Sequence, residues 1–278
     1  MTKLPRRRTL VVILALTVFA AFAVIASADH SWNNYHWART ANPFTLKVGN
    51  NVTDKWTSQF NMAISDWNQS QVLGLAPVAG TSNKRCAMVA GTVQVCNGTY
   101  GQNGWLGLAS INITGGEHIT QGSAKMNDTY FNMAYYNNPN EKLHVLCQEV
   151  GHTFGLGHTS EDGSSQNTCM DYFSNTGVNA GSTLSTHPNQ HDYDMLSIIY
   201  AHLDSFNSAS ASSAASAADA AEVTNDPSSW GQLVSQSANG RSSTYEREHG
   251  NGSKTITHVF WTEEAAERCR SCDHRFDH

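Results

Sequence analysis

The stretch CQEVGHTFGLGHTS, residues 147–160, places an amide, a carboxylate and two histidines at helical spacing. Residues four apart on a helix lie on the same face, so Gln148 and His152 are expected to point the same way. Glu149 follows Gln148 directly, and its carboxylate is therefore expected at the edge of the same face. The preceding residues open with Asn and Pro, which predicts a helix from about 139 to 154.

The glycines after this helix predict how a third side chain joins the site. Gly155 lets the chain turn through a backbone conformation that other residues resist, and the turn is expected to bring His158 back over the helix face. Three protein ligands with one open position are typical of catalytic zinc, which acidifies a bound water. Glu149 is then placed to accept the proton of that water.

The segments around this helix predict an α+β fold, a mixed twisted sheet with an active-site helix and a C-terminal helix. FTLKVGNNV reads as a strand by alternation, and the residues from Asp54 to Ser70 carry an apolar helical face. Further strand candidates are 88–95, 105–113 and 124–133, and a second apolar-faced helix is predicted at 193–203.

The chain ends predict its domain organisation. Residues 1–28 combine a basic start, an apolar run and Ala26-Ser27-Ala28, which predicts a signal peptide cleaved before Asp29. The alternative is an uncleaved membrane anchor. Residues 29–204 are predicted to form the main domain and 205–222 a Ser/Ala-rich linker. Residues 223–278 are predicted to form a small appendage with a helix, a hairpin and a mobile tail.

Charge and cysteine content agree with a secreted protein. Charged residues make up 14% of the chain and the net charge is −6, so no basic stripe is available for nucleic acid. No segment beyond the signal is apolar enough to cross a membrane. The six cysteines are candidates for disulfides. Six cysteines allow fifteen connectivities, among which proximity favours Cys86 with Cys96 and Cys147 with Cys169, while Cys269 and Cys272 form a CxxC near the end.

The motif resembles that of the metzincin metallopeptidases, which carry H-E-x-x-H-x-x-G-x-x-H followed by a methionine turn. Cys169-Met170-Asp171-Tyr172 follows at a suitable distance. The resemblance covers residues 44–204, and the order of elements is similar to the matrixin branch. It implies that Met170 lies beneath the metal and that Tyr172 ligates it or stabilises the tetrahedral intermediate.

This resemblance implies a secreted zinc-dependent endopeptidase that acts on proteins or peptides. The implied catalytic residues are Glu149 and Tyr172, and the implied metal ligands are Gln148, His152 and His158. The alternative is a catalytically inactive secreted binding protein on the same fold.

Gln148 departs from the family, which has histidine there. The Gln148 oxygen and a histidine Nε2 both lie four bonds from Cα and both are neutral, so the amide can reach the metal. Its NH₂ group then needs an acceptor that holds it in place. Three hypotheses remain: Gln148 ligates zinc, the site binds metal poorly, or another histidine such as His144 substitutes.

The remaining polar groups are expected to be ordinary loop residues. His30, His36, His187 and His191 are interpreted in this way. A structural calcium site is a further hypothesis, based on four aspartates without EF-hand spacing: Asp162, Asp171, Asp192 and Asp194.

Overall fold

A computed structural model describes residues 30–81, 85–210 and 226–276. The predicted signal peptide, the predicted cleavage site and residues 211–225 lie outside the described residues. The strands are β1 (His36–Trp37), β2 (Phe44–Asn51), β3 (Leu73–Ala79), β4 (Thr92–Gly98), β5 (Trp105–Thr114), β6 (His118–Asn127), β7 (Gln232–Gln236), β8 (Ser242–Gly250) and β9 (Ser253–Trp261). The α-helices are α1 (Thr57–Trp67), α2 (Asp128–Phe131), α3 (Pro139–His152), α4 (Gln190–Ile199) and α5 (Glu263–Arg268).

The described strands form one mixed sheet in the order β3-β2-β4-β6-β5-β9-β8-β7, with β1 beside the start of β6. Strands β2, β3, β4 and β6 are parallel, whereas β5 and all later strands run antiparallel to their neighbours. The few helices around this sheet agree with the predicted α+β class.

Helices α1 and α3 pack together and fix the position of the motif. The apolar face of α1 is buried as predicted, and the Trp67 indole donates to the Cys147 carbonyl at 3.2 Å. Asn138 caps α3 by accepting from the Glu141 N–H, and Pro139 occupies the first turn. The motif helix is therefore anchored at its start and along one side.

Local side chains account for the differences from the predicted element boundaries. Helix α4, predicted at 193–203, ends at Ile199 and begins already at Gln190, because Asn189 and Asp192 form a capping box. The strand predicted at 124–133 ends at Asn127, whose side chain accepts from the Thr129 N–H and starts α2. Strand β3 was not predicted, since its apolar run is short.

The C-terminal segment, predicted as a small appendage, is part of the main sheet. The predicted hairpin is present as β8 and β9, and β9 pairs with β5 along almost its whole length. Ile256 and Phe260 are buried in the main core. Burying each such side chain contributes roughly 1.5–3 kcal/mol, which explains why the hairpin stays on the sheet.

The predicted disulfides Cys86–Cys96 and Cys147–Cys169 are both present, and Cys269 pairs with Cys272. The second one ties α3 to the segment that carries Met170. No helix among the described residues is long and apolar enough to span a membrane.

Replacing Cys147 and Cys169 by serine is expected to lower the free energy of unfolding by about 3 kcal/mol. The reason is that this bond closes a loop between residues 22 apart and so limits the unfolded chain. The matched control is the same change at Cys269 and Cys272, which are 3 residues apart compared with 22. Urea unfolding measures both. An equal loss in the two variants would contradict the loop-length argument.

Candidate metal centre

Three histidines from different parts of the chain meet beside α3. His152 lies on the last turn of the helix, His158 follows the turn at Gly155, and His258 lies on β9. One ring nitrogen from each lies within 4.8 Å of the others. The Nε2 atoms of His152 and His158 are 3.0 Å apart. This is a histidine cluster of the kind that holds a metal ion.

The other ring nitrogen of each histidine contacts an acceptor. Nδ1 of His152 lies 2.7 Å from the Leu156 carbonyl oxygen. Nδ1 of His158 lies 3.0 Å from a Glu161 carboxylate oxygen. Nδ1 of His258 lies 3.2 Å from Glu149 Oε2. Metal-bound histidines characteristically donate their second N–H in this way, and the tautomer it fixes leaves Nε2 with a free lone pair.

Burial favours the neutral form of the three imidazoles. Desolvation lowers the pKa of His152 and His258 well below the usual value, and it lowers the pKa of His158 too. Desolvation raises the pKa of Glu149 well above its usual range, which the Ala109 N–H offsets only in part. Three neutral imidazoles with converging lone pairs beside a buried carboxyl suit a divalent cation.

Tyr172 lies at the centre of the histidine cluster. Its hydroxyl oxygen is 2.8 Å from His158 Nε2 and 2.7 Å from His258 Nε2. Burial raises the pKa of this phenol well above 10, so it stays protonated and can donate a hydrogen bond. The single phenolic proton satisfies one of the two nitrogens at a time.

Glu149 is fully buried and only one of its carboxylate oxygens contacts the cluster. Oε2 meets His258, whereas Oε1 makes no hydrogen bond. A Cβ at Gly107 on β5 would lie 2.5 Å from Oε1, so the glycine leaves room for the carboxylate. Oε1 therefore lies against β5 as a buried oxygen without a hydrogen-bond partner.

Gln148 is buried on α3, and its amide group is held from two sides. Nε2 donates to the carbonyl oxygens of Cys169 and Asp171 at 3.0 and 2.8 Å, as expected if the amide needs acceptors to stay oriented. Oε1 makes no hydrogen bond. His144, considered from sequence as a substitute ligand, contacts the Asp171 carbonyl instead at 2.9 Å, because it lies one turn earlier.

The turn after α3 and the segment around Met170 are both tightly packed. Gly155 has φ +100°, and a Cβ there would lie 2.0 Å from the Tyr35 carbonyl oxygen. Met170 is fully buried, and a Cβ at Gly151 would lie 2.6 Å from its Sδ. The methionine thus packs against the helix turn that carries His152.

A cavity of about 390 Å³ opens onto the histidine cluster. The cavity is lined by the N-terminal segment 30–33 and by residues of β7 and β8, including Val234, Thr244 and Glu246. The C-terminal strands therefore supply both a ligand candidate and part of the access route.

The other residues that the sequence suggested as calcium ligands or loop histidines mostly make hydrogen bonds to nearby groups. Asp162 accepts from Ser160 and Ser164, and Asp171 accepts from Gln166, Phe173 and Ser185. His187 pairs with Asp66 at 2.6 Å. His30 is buried, not exposed as expected for a loop residue, and it lies 3.3 Å from Asp192 and stacks on His191.

Sequence reasoning missed His258. It lies far along the chain from the motif and reaches the site only through the pairing of β9 with β5, in which it lies opposite Ala109. The available signal was a histidine within SKTITHVFW, an otherwise apolar and β-branched strand.

Comparison of the chain with protein-family models and with curated proteins gives no match.

Proposed function

We propose that this protein is a secreted zinc-dependent endopeptidase in which His258 supplies the third histidine ligand. The observation that carries the proposal is the convergence of three histidine Nε2 atoms whose Nδ1 atoms all contact acceptors. The proposed ligands are His152, His158 and His258. Whether Gln148 adds an oxygen ligand, as the resemblance implies, stays a prediction.

Zinc fits the donor set. Neutral imidazoles are preferred zinc ligands, and three of them leave a position for water. When bound, zinc would acidify a water molecule and polarise a substrate carbonyl. The unpaired oxygens of Gln148 and Glu149 are buried polar atoms that an ion or its water would satisfy.

Glu149 is the proposed proton carrier. Its carboxylate would accept the proton lost by the attacking water and pass it to the leaving amine. Its Oε2 accepts from His258 Nδ1, which keeps the carboxylate facing the cluster. A bound divalent cation would favour the ionised form of Glu149 over the neutral form that burial favours.

Tyr172 is the proposed donor to the oxyanion of the tetrahedral intermediate. Its phenol stays protonated, and its hydroxyl lies among the ligand nitrogens. A donor that is already oriented in a buried site stabilises developing negative charge without reorganisation.

A peptide substrate fits the access route. The cavity runs past β7, which is the last strand of the described sheet. An edge strand offers unpaired backbone N–H and C=O groups, to which an extended peptide can add as a further strand. Val234 and Thr244 in the wall give apolar and polar contacts for side chains.

The alternative of an inactive binding protein is favoured by one contact. Glu149 Oε2 lies 3.2 Å from His258 Nδ1, so the carboxylate is partly used to hold a ring in place. A protein that only binds peptides in the same cavity would need no exchangeable proton on Glu149.

Chelation tests the proposed function. Removing zinc from the secreted full-length protein with 1,10-phenanthroline is expected to abolish cleavage of a mixed peptide library, and adding zinc back is expected to restore it. Metal content is measured alongside by elemental analysis. A zinc-loaded protein that cleaves no member of the library would instead support the binding-protein alternative.

Replacing Tyr172 by phenylalanine is expected to lower kcat about 100-fold with KM and zinc content little changed, since one oxyanion donor is lost. Steady-state kinetics on a cleaved peptide measures this. Tyr193→Phe is the control, because that hydroxyl donates to the Asp66 carbonyl away from the cluster. Equal kinetics in the two variants would contradict the role of Tyr172.

A further inference from the structure

A second group of histidines surrounds Asp204. Asp204 Oδ1 lies 3.2 Å from His118 Nε2, 3.6 Å from His36 Nε2 and 3.7 Å from His202 Nε2. The Nε2 atoms of His36 and His202 are 3.1 Å apart. His36, which the sequence suggests is an ordinary loop residue, is buried here.

These separations match the coordination shell of a transition metal. Zinc binds imidazole nitrogen and carboxylate oxygen at about 2.0–2.1 Å, which places neighbouring ligand atoms roughly 3.3 Å apart in a tetrahedron. Every one of the four measured separations lies near that value. The Nε2 atoms of His36 and His202 can share one N–H if His202 is the donor, whereas a bound cation would accept the lone pairs of both.

The second contacts of the ligand candidates are also those of a metal site. His36 Nδ1 contacts the Asn34 carbonyl oxygen at 2.7 Å, which leaves its Nε2 lone pair facing Asp204. Asp204 Oδ2 accepts from the Arg39 guanidinium at 2.9 Å and from the Arg39 N–H at 3.1 Å. The two carboxylate oxygens are thus divided between arginine and the histidines.

The group joins three separate parts of the fold. His36 lies on β1, His118 begins β6, and Asp204 follows α4. The side chain of His202 is 53% exposed, so solvent reaches one side of the group. An ion can therefore enter without unfolding and would tie the N-terminal segment to the end of the helical region.

We propose that His36, His118 and Asp204, with His202 at the solvent side, form a second zinc-class metal site of structural function. Its donors are nitrogen and carboxylate, which favours zinc over calcium or magnesium. The closing ligand at the exposed side is His202. This site is separate from the centre at His258 and does not depend on the proposed peptidase activity.

Metal stoichiometry tests the second site. Untagged, secreted full-length protein is equilibrated with zinc, freed of excess ion and analysed for zinc per chain. We expect two zinc ions in the unchanged protein, one in His118→Gln, one in His258→Ala and none in the double variant. Cobalt bound to His258→Ala is expected to give the visible absorption of a tetrahedral site. His202→Gln changes an exposed side chain and gives a second readout. In this variant the second zinc ion is expected to bind with at least tenfold lower affinity.

Thermal unfolding distinguishes a structural metal from a simple hydrogen-bonded cluster. In the His258→Ala variant, removing the metal with a chelator is expected to lower the midpoint temperature of unfolding. Adding His118→Gln is expected to abolish this effect of the chelator. The proposal is overturned if the unchanged protein binds one zinc that His118→Gln retains, or if cobalt bound to His258→Ala gives no tetrahedral spectrum. Loss of only the His258-dependent zinc or of cleavage would instead count against the proposed function.

Discussion

Replacing His258 by alanine is expected to weaken zinc binding at the candidate centre by at least about 100-fold and to abolish peptide cleavage. Losing even an outer partner of a metal ligand costs 10–100-fold in affinity, and a lost ligand costs more. His152 and His158 alone would then hold the ion. Competition with a chromophoric chelator measures the affinity of the variant and of the unchanged protein.

Gln148→Ala is the matched control for His258. If the third ligand is His258, the glutamine variant is expected to lose less than tenfold in zinc affinity. It is also expected to lose about 1–3 kcal/mol of stability, because the Cys169 carbonyl loses its Gln148 donor and the Asp171 carbonyl keeps only His144. The reverse order of affinities would mean that the sequence-based ligand set is right and that His258 only packs beside it.

A double variant adds a stricter test of the same assignment. Gln148→His restores the histidine that the metzincin motif has at this position, so Gln148→His/His258→Ala is expected to recover zinc binding and part of the activity. The recovery follows because residues four apart on α3 present their rings on one face. No recovery, in a folded double variant, would show that position 148 does not face the ion.

The sequence predicts those parts of the site that are close together along the chain. Helix α3, the turn at Gly155 and the placement of His158 beside His152 all follow from helical spacing and one glycine. Capping by Asn138 and burial of the α1 face are equally local. Such features need no knowledge of which strands pair.

Features that depend on strand pairing were not predictable in the same way. His258 reaches the centre because β9 lies along β5, and His36 meets His118 because β1 lies beside the start of β6. Both contacts depend on the order of the strands in the sheet, which the sequence does not show. The Ser/Ala-rich segment between α4 and the hairpin instead indicates a separate appendage. Apolar residues such as Phe260 could have indicated burial, but not against which strand.

Replacing Glu149 by glutamine is expected to lower kcat by about 10²–10⁴-fold, the usual contribution of a positioned general base. The amide keeps the size of the carboxylate and can still accept from His258 Nδ1, so zinc content is expected to stay within the range of the unchanged protein. Kinetics on a cleaved peptide and elemental analysis of the same sample measure the two effects.

Glu161→Gln separates this catalytic effect from a general effect on the ligand histidines. Glu161 contacts His158 Nδ1 as Glu149 contacts His258 Nδ1, but its side chain is 43% exposed. The Glu161 variant is therefore expected to bind zinc more weakly, by about tenfold, and to reach near-normal kcat once saturated with zinc. If Glu149→Gln behaves in the same way, Glu149 orients a ligand and another group accepts the proton.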